Sequence, residues 1–410
     1  MPSVKRFFRD SLPNLCAAGC FLLVLAVVAA MTGRWAWDVN GYHSYALQAD
    51  AWLHGRLDLG QDYPWLELAI YQGRYYVSFP PFPSYVLLPF SLFFGTATPD
   101  GLISLCFSLA GIWVCVHLVI KAGQSPVQAV LLTLCLYLGT GYLFLALTPA
   151  VWFFAQTLCF NLCVMALYFA RTARGGWSLT CWACAVGCRP MVLMYLPVLI
   201  IILWYAYNEQ HPRDSLLSAV RKHLYWAAGP LILGISYMVL NYLRFGNIFE
   251  FGHNYLPEFQ RVLTGQFDLS YFTVNFPLLF RLPAWDSETG CLIISPFDTY
   301  LFALINPLSV VAAAVCLIRS LRAEGRRDRL FIALIFGISL VYIFILCCHR
   351  TLGGWQFGNR YLKDVMPFVF YALCLCAPDT GRFRSLTGIV LAFSAALHIV
   401  CTVITWNYWW

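Results

Sequence analysis

Half of the chemistry-bearing acids in this 410-residue chain fall in two polar stretches. Asp38, Asp50, Asp58, Asp62 and Glu67 occupy the first, and Glu250, Glu258, Asp268, Asp286 and Glu288 the second. Between Gly101 and Asn208 there is no acid. Asp38 lies a few residues beyond an apolar run, at a membrane boundary, where a carboxylate can take a proton from a membrane-bound substrate; the position suits a capping or solvated Asp equally. Arg189 is the basic residue deep in an apolar run, which marks it as functional by default, and its other reading is to bond carbonyls freed by Pro190. His117 and His398 lie in apolar runs, with Asp298 and Asp364 near run ends. Arg360 stands in Gly353-Gly354-Trp355-Gln356-Phe357-Gly358-Asn359-Arg360-Tyr361-Leu362, with Lys363 three residues on. Glycines there let backbone approach a ligand. Cys181, Cys184 and Cys188 have ligand-like spacing, but no His or second thiol pair flanks them, so helix packing is the expected role.

These residues must be positioned by membrane helices. Hydrophobic residues make up 60% and charged residues 11% of the chain, far from the balance of soluble domains and too apolar for disorder. Apolar runs of about 20 residues cover most of it. An outer-membrane barrel would show short alternating segments instead. The formal net charge of +7 is spread in short clusters, which argues against nucleic-acid binding. The fold class expected is an all-α polytopic membrane protein with about 11 crossings, in the range of roughly 10–12. The whole of 1–410 reads as a single integral membrane domain, with outer loops at 33–80 and 244–296. The N-terminus resembles a signal peptide but reads as a retained first helix over 14–32. Further runs lie near 81–97, 101–120, 127–147, 149–170, 178–207, 223–243, 297–318, 330–348, 363–377 and 386–405. Basic residues such as Arg319, Arg322, Arg326 and Arg327 set the orientation: N-terminus cytoplasmic, both long loops and the C-terminus outside. Lys121, Arg171 and Arg174 obey the same rule if 81–97 dips without crossing and 178–207 breaks at Arg189-Pro190. Most cysteines lie in apolar runs and Cys291 in a loop, so no disulfide framework is expected.

Within the first loop, Tyr42, Tyr45, Ala46, Ala49, Trp52 and Leu53 follow helical spacing. That pattern predicts an interfacial helix over 42–53 with its aromatic face in lipid, leaving His43 and Asp50 on other faces.

The ordered set of motifs resembles the GT-C glycosyltransferases, a group including protein O-mannosyltransferases and aminoarabinose transferases. Asp38 after the first helix, Leu53-His54-Gly55-Arg56-Leu57-Asp58-Leu59 and Phe79-Pro80-Pro81-Phe82-Pro83 resemble that group's first outer loop. Asn241 to Tyr255 is similar to the stretch after its seventh helix, and the Gly-Asn-Arg-Tyr core at 358–361 to an outer-face segment. Val39-Asn40 follow Asp38 where many relatives carry a second acid, which fits metal-independent members. The resemblance implies transfer of a sugar from a polyprenyl-phosphate carrier to an acceptor glycan, lipid or protein, at the outer face of the inner membrane and with inversion. It implies Asp38 as catalytic base, and Arg360, Arg189, Lys363 and Tyr361 at the lipid phosphate, since Arg pairs with phosphate bidentately. His43, Asp50, His253, Tyr255 and Glu258 would line the acceptor pocket, with Glu258, Asp286 and Glu288 as reserve bases. No cofactor, no divalent metal and no nucleic acid is expected; Lys363 is expected to face lipid headgroups if it is not at the phosphate.

Two other classes stay open. A lipid or glycan flippase would do no covalent chemistry, but should line a central cavity with charges across the membrane. A glycan polymerase or ligase using pyrophosphate carriers would carry an outer loop rich in Arg and His, and the second loop has only Arg244, Arg261, Arg281 and His253.

Overall fold

The computed structural model describes residues 2–38, 40–261, 263–288, 290–293, 299, 302–322 and 326–409, without the side chains of 2–10, 291–292, 326–327 and 408–409. Asp298 and the side chains of Cys291, Arg326 and Arg327 thus lie outside what is described. The chain opens with α1 (Pro2–Thr32), α2 (Ser44–Leu53), a hairpin of β1 (Leu68–Tyr71) and β2 (Arg74–Val77), α3 (Phe82–Phe94) and α4 (Asp100–Lys121). There follow α5 (Pro126–Leu138), α6 (Tyr142–Leu147), α7 (Val151–Arg171), α8 (Gly175–Val186), α9 (Leu196–Gln210), α10 (Leu216–Lys222) and α11 (Ala228–Phe245). The last part holds α12 (Pro257–Gln260), α13 (Ser270–Leu278), a second hairpin of β3 (Ala284–Asp286) and β4 (Cys291–Ile293), α14 (Phe302–Ile305), α15 (Pro307–Arg322), α16 (Arg326–Cys347), α17 (Met366–Cys376) and α18 (Gly381–Trp409).

Among the described residues, seven helices are long and apolar enough to cross a membrane: Ser11–Thr32, Asp100–Lys121, Val151–Arg171, Pro190–Gln210, Leu224–Phe245, Asp328–Cys347 and Gly381–Asn407. Phe82–Ala97 and Pro126–Leu138 are shorter apolar helices. This is a polytopic helical membrane protein. Several apolar runs are interrupted instead of continuous. The run at 127–147 becomes α5 and α6, separated at Gly139-Thr140-Gly141. The run at 178–207 breaks at Arg189-Pro190, where Arg189 is extended (φ −140°, ψ 97°), as the residue before a proline must be to avoid its ring. A 310 turn then leads into α9.

Two compact units share the chain. The first comprises 1–35, 109–147 and 270–410, the second 36–108 and 148–269. In the first unit, α5 begins with Pro126 after the cap Ser125, whose side chain accepts from the Gln128 amide; this is the arrangement that satisfies orphan N–H groups at a helix start. Buried amides then tie α5 to later segments. Gln124 Nε2 donates to the carbonyls of Cys374 (3.0 Å) and Ala377 (2.9 Å), and Gln128 Nε2 to Thr387 Oγ1 at 3.0 Å. Asn275 on α13 donates to the carbonyls of Cys347 and His349, where α16 ends.

In the second unit, α2 occupies the expected place but not the expected environment. Ser44 to Ala49 and Ala51 are all buried, and Tyr45 packs on Phe79 and Phe154. Tyr45, Ala46 and Ala49 of the expected lipid face are therefore inside protein, while Tyr42 and Trp52 are half-buried and Leu53 is exposed. The reason is the hairpin and α3, which close over it: the Ser84 hydroxyl reaches the Tyr45 carbonyl at 3.0 Å and Gln48 Oε1 at 2.8 Å. The hairpin itself is not visible in the apolar pattern. It turns on Gln72-Gly73, both at positive φ (50° and 73°), as a two-residue hairpin turn requires.

The second long loop folds back on that hairpin. Buried Arg244 donates to the Val77 carbonyl at 3.2 Å and to Asn241 Oδ1 at 3.0 Å. Glu250 accepts from the Gly252 amide and from Asn254, both at 2.6 Å. Phe245 and Tyr255 stack on each other and reach Tyr71. Gly252 sits at φ +108°, and a Cβ there would lie 2.8 Å from Phe245 and 3.2 Å from Ala69. Gly252→Ala is expected to cost about 1–2 kcal/mol from the left-handed backbone alone, lowering the thermal midpoint of detergent-purified protein and speeding proteolysis in 246–269. An unchanged midpoint and digestion pattern would show that this docking does not stabilise the loop.

Candidate functional site

The first unit holds a buried basic cluster where α16 gives way to α17. Residues 348–360 form no helix, and a 310 turn over Tyr361–Val365 leads into α17. Non-helical backbone within a membrane protein's interior must be bonded locally, and the polar side chains here do that. Gln356 Oε1 accepts from the Arg360 amide at 2.9 Å, and Asn359 Oδ1 from the Leu362 amide at 3.2 Å. Trp355 takes a positive φ of 49°, uncommon for a bulky residue and a mark of local strain. Arg360 is held on three sides: Nε donates to the Gly354 carbonyl at 3.1 Å, Nη2 to the Tyr361 hydroxyl at 3.5 Å, and the guanidinium lies 4.8 Å from the Tyr361 ring centre.

Lys363 is 1% exposed. It does not face lipid headgroups, because the turn that carries it is packed inward. Its ammonium neither hydrogen-bonds nor ion-pairs with a described residue. Burial works against its charge, Arg360 adds like-charge repulsion, and Asp364 supplies attraction. Asp364 accepts a 2.8 Å hydrogen bond from the Tyr342 hydroxyl. Gly141, at φ +71°, makes room for the lysine: a Cβ there would lie 2.8 Å from Lys363 Nζ and 3.1 Å from His398 Cε1. His398 is 0% exposed, and its Nε2 is 2.7 Å from the Ile305 carbonyl. Keeping an ammonium charged at such a buried position costs several kcal/mol or more unless it is paired. Arg360, Tyr361 and Lys363 lie together on this turn. His398 and Gly141 join them without having been singled out for this site; the signal for His398 was an imidazole within an otherwise apolar run.

The other candidates lie in the second unit. Asp38 is exposed on a bend after α1. It does not stand at the N-cap of α2, which is His43. His43 Nδ1 is buried without a hydrogen bond. Asp50 lies 3.6 Å from His54 Nδ1, a surface pair. Arg189 is half-buried at the break after α8, and its charge partly offsets the burial and the Cys188 contribution that hold the Tyr45 hydroxyl well above its ordinary range. Arg189 is thus not the deepest cation of the chain; Lys363 and Arg360 are more buried. His253 is ringed by Phe79, Phe251 and Phe259, with Nδ1 3.3 Å from the Ser78 carbonyl. Burial, Tyr71 and Glu250 hold the Tyr255 hydroxyl above its ordinary value, so it stays a donor. Glu258 is exposed in the first turn of α12, and Asp286 Oδ1 accepts from the Glu288 amide at 3.0 Å. A cavity of about 200 Å³ between α8, α9 and α10 is lined by Leu203, Trp204, Leu216 and Trp226 and contains none of these candidates. Among the described residues no group of three His, Cys, Asp or Glu is set to hold a metal.

No protein-family model, no curated protein and no solved structure matches this chain.

The buried cluster makes an unusual stability forecast. Lys363→Met removes an uncompensated buried charge and keeps the volume, a change that is neutral or stabilising in comparable buried settings. The variant's thermal midpoint without ligand is expected to equal or exceed that of the wild type, while stabilisation by added undecaprenyl phosphate disappears. A midpoint several degrees lower would mean that the ammonium is internally compensated.

Proposed function

We propose that the protein is a glycosyltransferase that moves a sugar from a polyprenyl-phosphate carrier to an acceptor glycan, lipid or protein. The single observation supporting this reading is the Arg360–Lys363 cluster, two cations in an apolar membrane unit with one of them unpaired. A lipid phosphate has the charge that such a site lacks and an apolar tail suited to its surroundings. Leaving-group stabilisation by fixed cations is the largest demand of this chemistry, and Arg360 supplies a planar donor set that matches phosphate oxygens. In this reading Asp38 accepts the proton of the acceptor hydroxyl, and the transfer inverts the anomeric centre. Tyr361 orients Arg360. The fold is then GT-C-like with about 11 crossings, set in the inner membrane with the N-terminus cytoplasmic and the long loops outside. Arg189 belongs with the lipid phosphate, His43, Asp50, His253, Tyr255 and Glu258 line the acceptor side, and no metal takes part.

Asp38→Asn is expected to lower turnover of a polyprenyl-phosphate-sugar donor by about 10²–10⁴-fold while leaving the thermal midpoint unchanged. Turnover at the wild-type level would remove Asp38 from the base role. Arg360→Ala is expected to weaken donor binding about tenfold or more, read by titrating the donor into protein in nanodiscs; equal affinity would remove Arg360 from the phosphate site.

The same anion site also suits a carrier of anionic lipids without covalent chemistry. Glycosyl transfer by purified protein in detergent, where there are no two leaflets to cross, separates the two readings.

A further inference from the structure

We propose that His398 makes the buried site selective for a phosphate monoester over a phosphodiester, by presenting one hydrogen-bond acceptor among the cations. The inference rests on the reading of the Lys363 cluster as an anion site, and it is independent of whether glycosyl transfer occurs.

The geometry fixes which nitrogen does what. Nε2 of His398 is 2.7 Å from the Ile305 carbonyl. A carbonyl only accepts, so Nε2 carries the hydrogen. In the neutral ring Nδ1 is then a lone pair. That Nδ1 is buried and has no hydrogen-bond partner, and the ring is 0% exposed. The Phe357 ring, edge-on at 5.7 Å, helps to hold it. The ring edge between the two nitrogens, Cε1, and the Lys363 ammonium approach the same point beside Gly141, at 3.1 and 2.8 Å. A doubly protonated ring would add a third buried cation against Lys363, with no carboxylate bonded to it. The elements packed on α18 do not change this. In α5, α6 and α14 there is no charged residue, Arg319 and Arg322 stand at the far end of α15 from Ile305, and Arg34, following α1, lies over Trp406. The charged group facing the ring is Lys363, which itself lies near Arg360 and Asp364, the latter bonded by Tyr342.

A site made only of donors takes any oxyanion. A site with donors and one lone pair favours an oxyanion that still carries a hydrogen. A phosphate monoester has such a P–O–H in its monoanion, and on binding this hydrogen lies between the phosphate oxygen and Nδ1, so both are satisfied. A phosphodiester has no such hydrogen, and its oxygen would face the Nδ1 lone pair. In the proposed reaction the donor is a diester and the lipid phosphate departs as a dianion without a P–O–H, so the His398 acceptor acts on the product once that phosphate has taken up a proton from water, not on the transfer step.

The test compares undecaprenyl phosphate with its phosphate methyl ester, titrated into full-length protein in nanodiscs. The wild type is expected to bind the monoester about tenfold more tightly, the worth of one buried hydrogen bond. His398→Gln keeps an N–H for the Ile305 carbonyl and removes the Nδ1 acceptor, so the two lipids should bind alike. His398→Asn places Oδ1 near the Nδ1 position and should restore part of the preference. Equal binding by the wild type, or a preference for the diester, overturns the proposal without any variant being needed. A preference that survives in a folded His398→Gln protein overturns the role of His398. Lys363→Met reads the underlying site separately. If it loses both lipids while the wild type binds both equally, only the selectivity fails. If it binds both as the wild type does, the anion site itself fails and the selectivity with it.

Discussion

Interrupted helices govern the arrangement of this protein. A helix that crosses hydrocarbon satisfies its own backbone, whereas any break exposes N–H and C=O groups that must find partners inside the protein. The chain breaks at Gly139–Gly141, at Arg189-Pro190 and over 348–365, and side chains bond the backbone there: the Thr140 hydroxyl donates to the Leu136 carbonyl and the Trp182 indole to that of Val192. Gln356 and Asn359 bond the backbone of the third break, and Arg360 bonds its Gly354 carbonyl. Residues recruited to mend a break are polar by necessity. They are also the residues placed where continuous helix would leave only apolar surface.

The two units meet this demand with different chemistry. In the second, neutral groups and one buried guanidinium do the bonding: Ser84, Gln48 and Asn241 cooperate with Arg244, which finds a carbonyl and an amide oxygen. In the first, two cations lie close together with one carboxylate near them, and that carboxylate is shared with a tyrosine. The second arrangement still leaves Gln48 Nε2 and Arg244 Nε without a hydrogen-bond partner among the described residues. The first holds two basic side chains and one carboxylate in a low-dielectric interior, where charge–charge interactions are strong because little water screens them.

Much of this was legible in the residues. Composition and run length gave the membrane class, and the Pro after Arg189 marked the break that the structure shows. The Gly-rich stretch before Arg360 also pointed to irregular backbone near a cation. What escaped was everything decided by packing between distant segments. The 42–53 pattern specified a helix but could not say what covers it, and the element bonded over it is α3, through Ser84; the neighbouring hairpin has only a two-residue Gln72-Gly73 turn as its signal. Lys363 looks like a headgroup anchor beside an apolar run; only the inward packing of its turn buries it. Gly141 was unremarked because a glycine in an apolar run has no signature until the lysine from more than 200 residues later lies against it. The three-dimensional partnership of Lys363 with His398 has the same character.

The order in which the two units are completed along the chain carries a consequence for biogenesis. Every segment of the second unit has been synthesised once residue 269 has left the ribosome, yet the first unit begins at the N-terminus and lacks its last 141 residues at that moment. α1 and α5 must therefore wait in the membrane for α18, the partner they pack against. During that interval the surfaces meant for α18 face lipid or chaperones, and Lys363 has not yet been made. The cationic cluster is buried only in the final stage of assembly, so early damage to α1 or α5 would surface as a late failure, in a protein whose second unit is already formed.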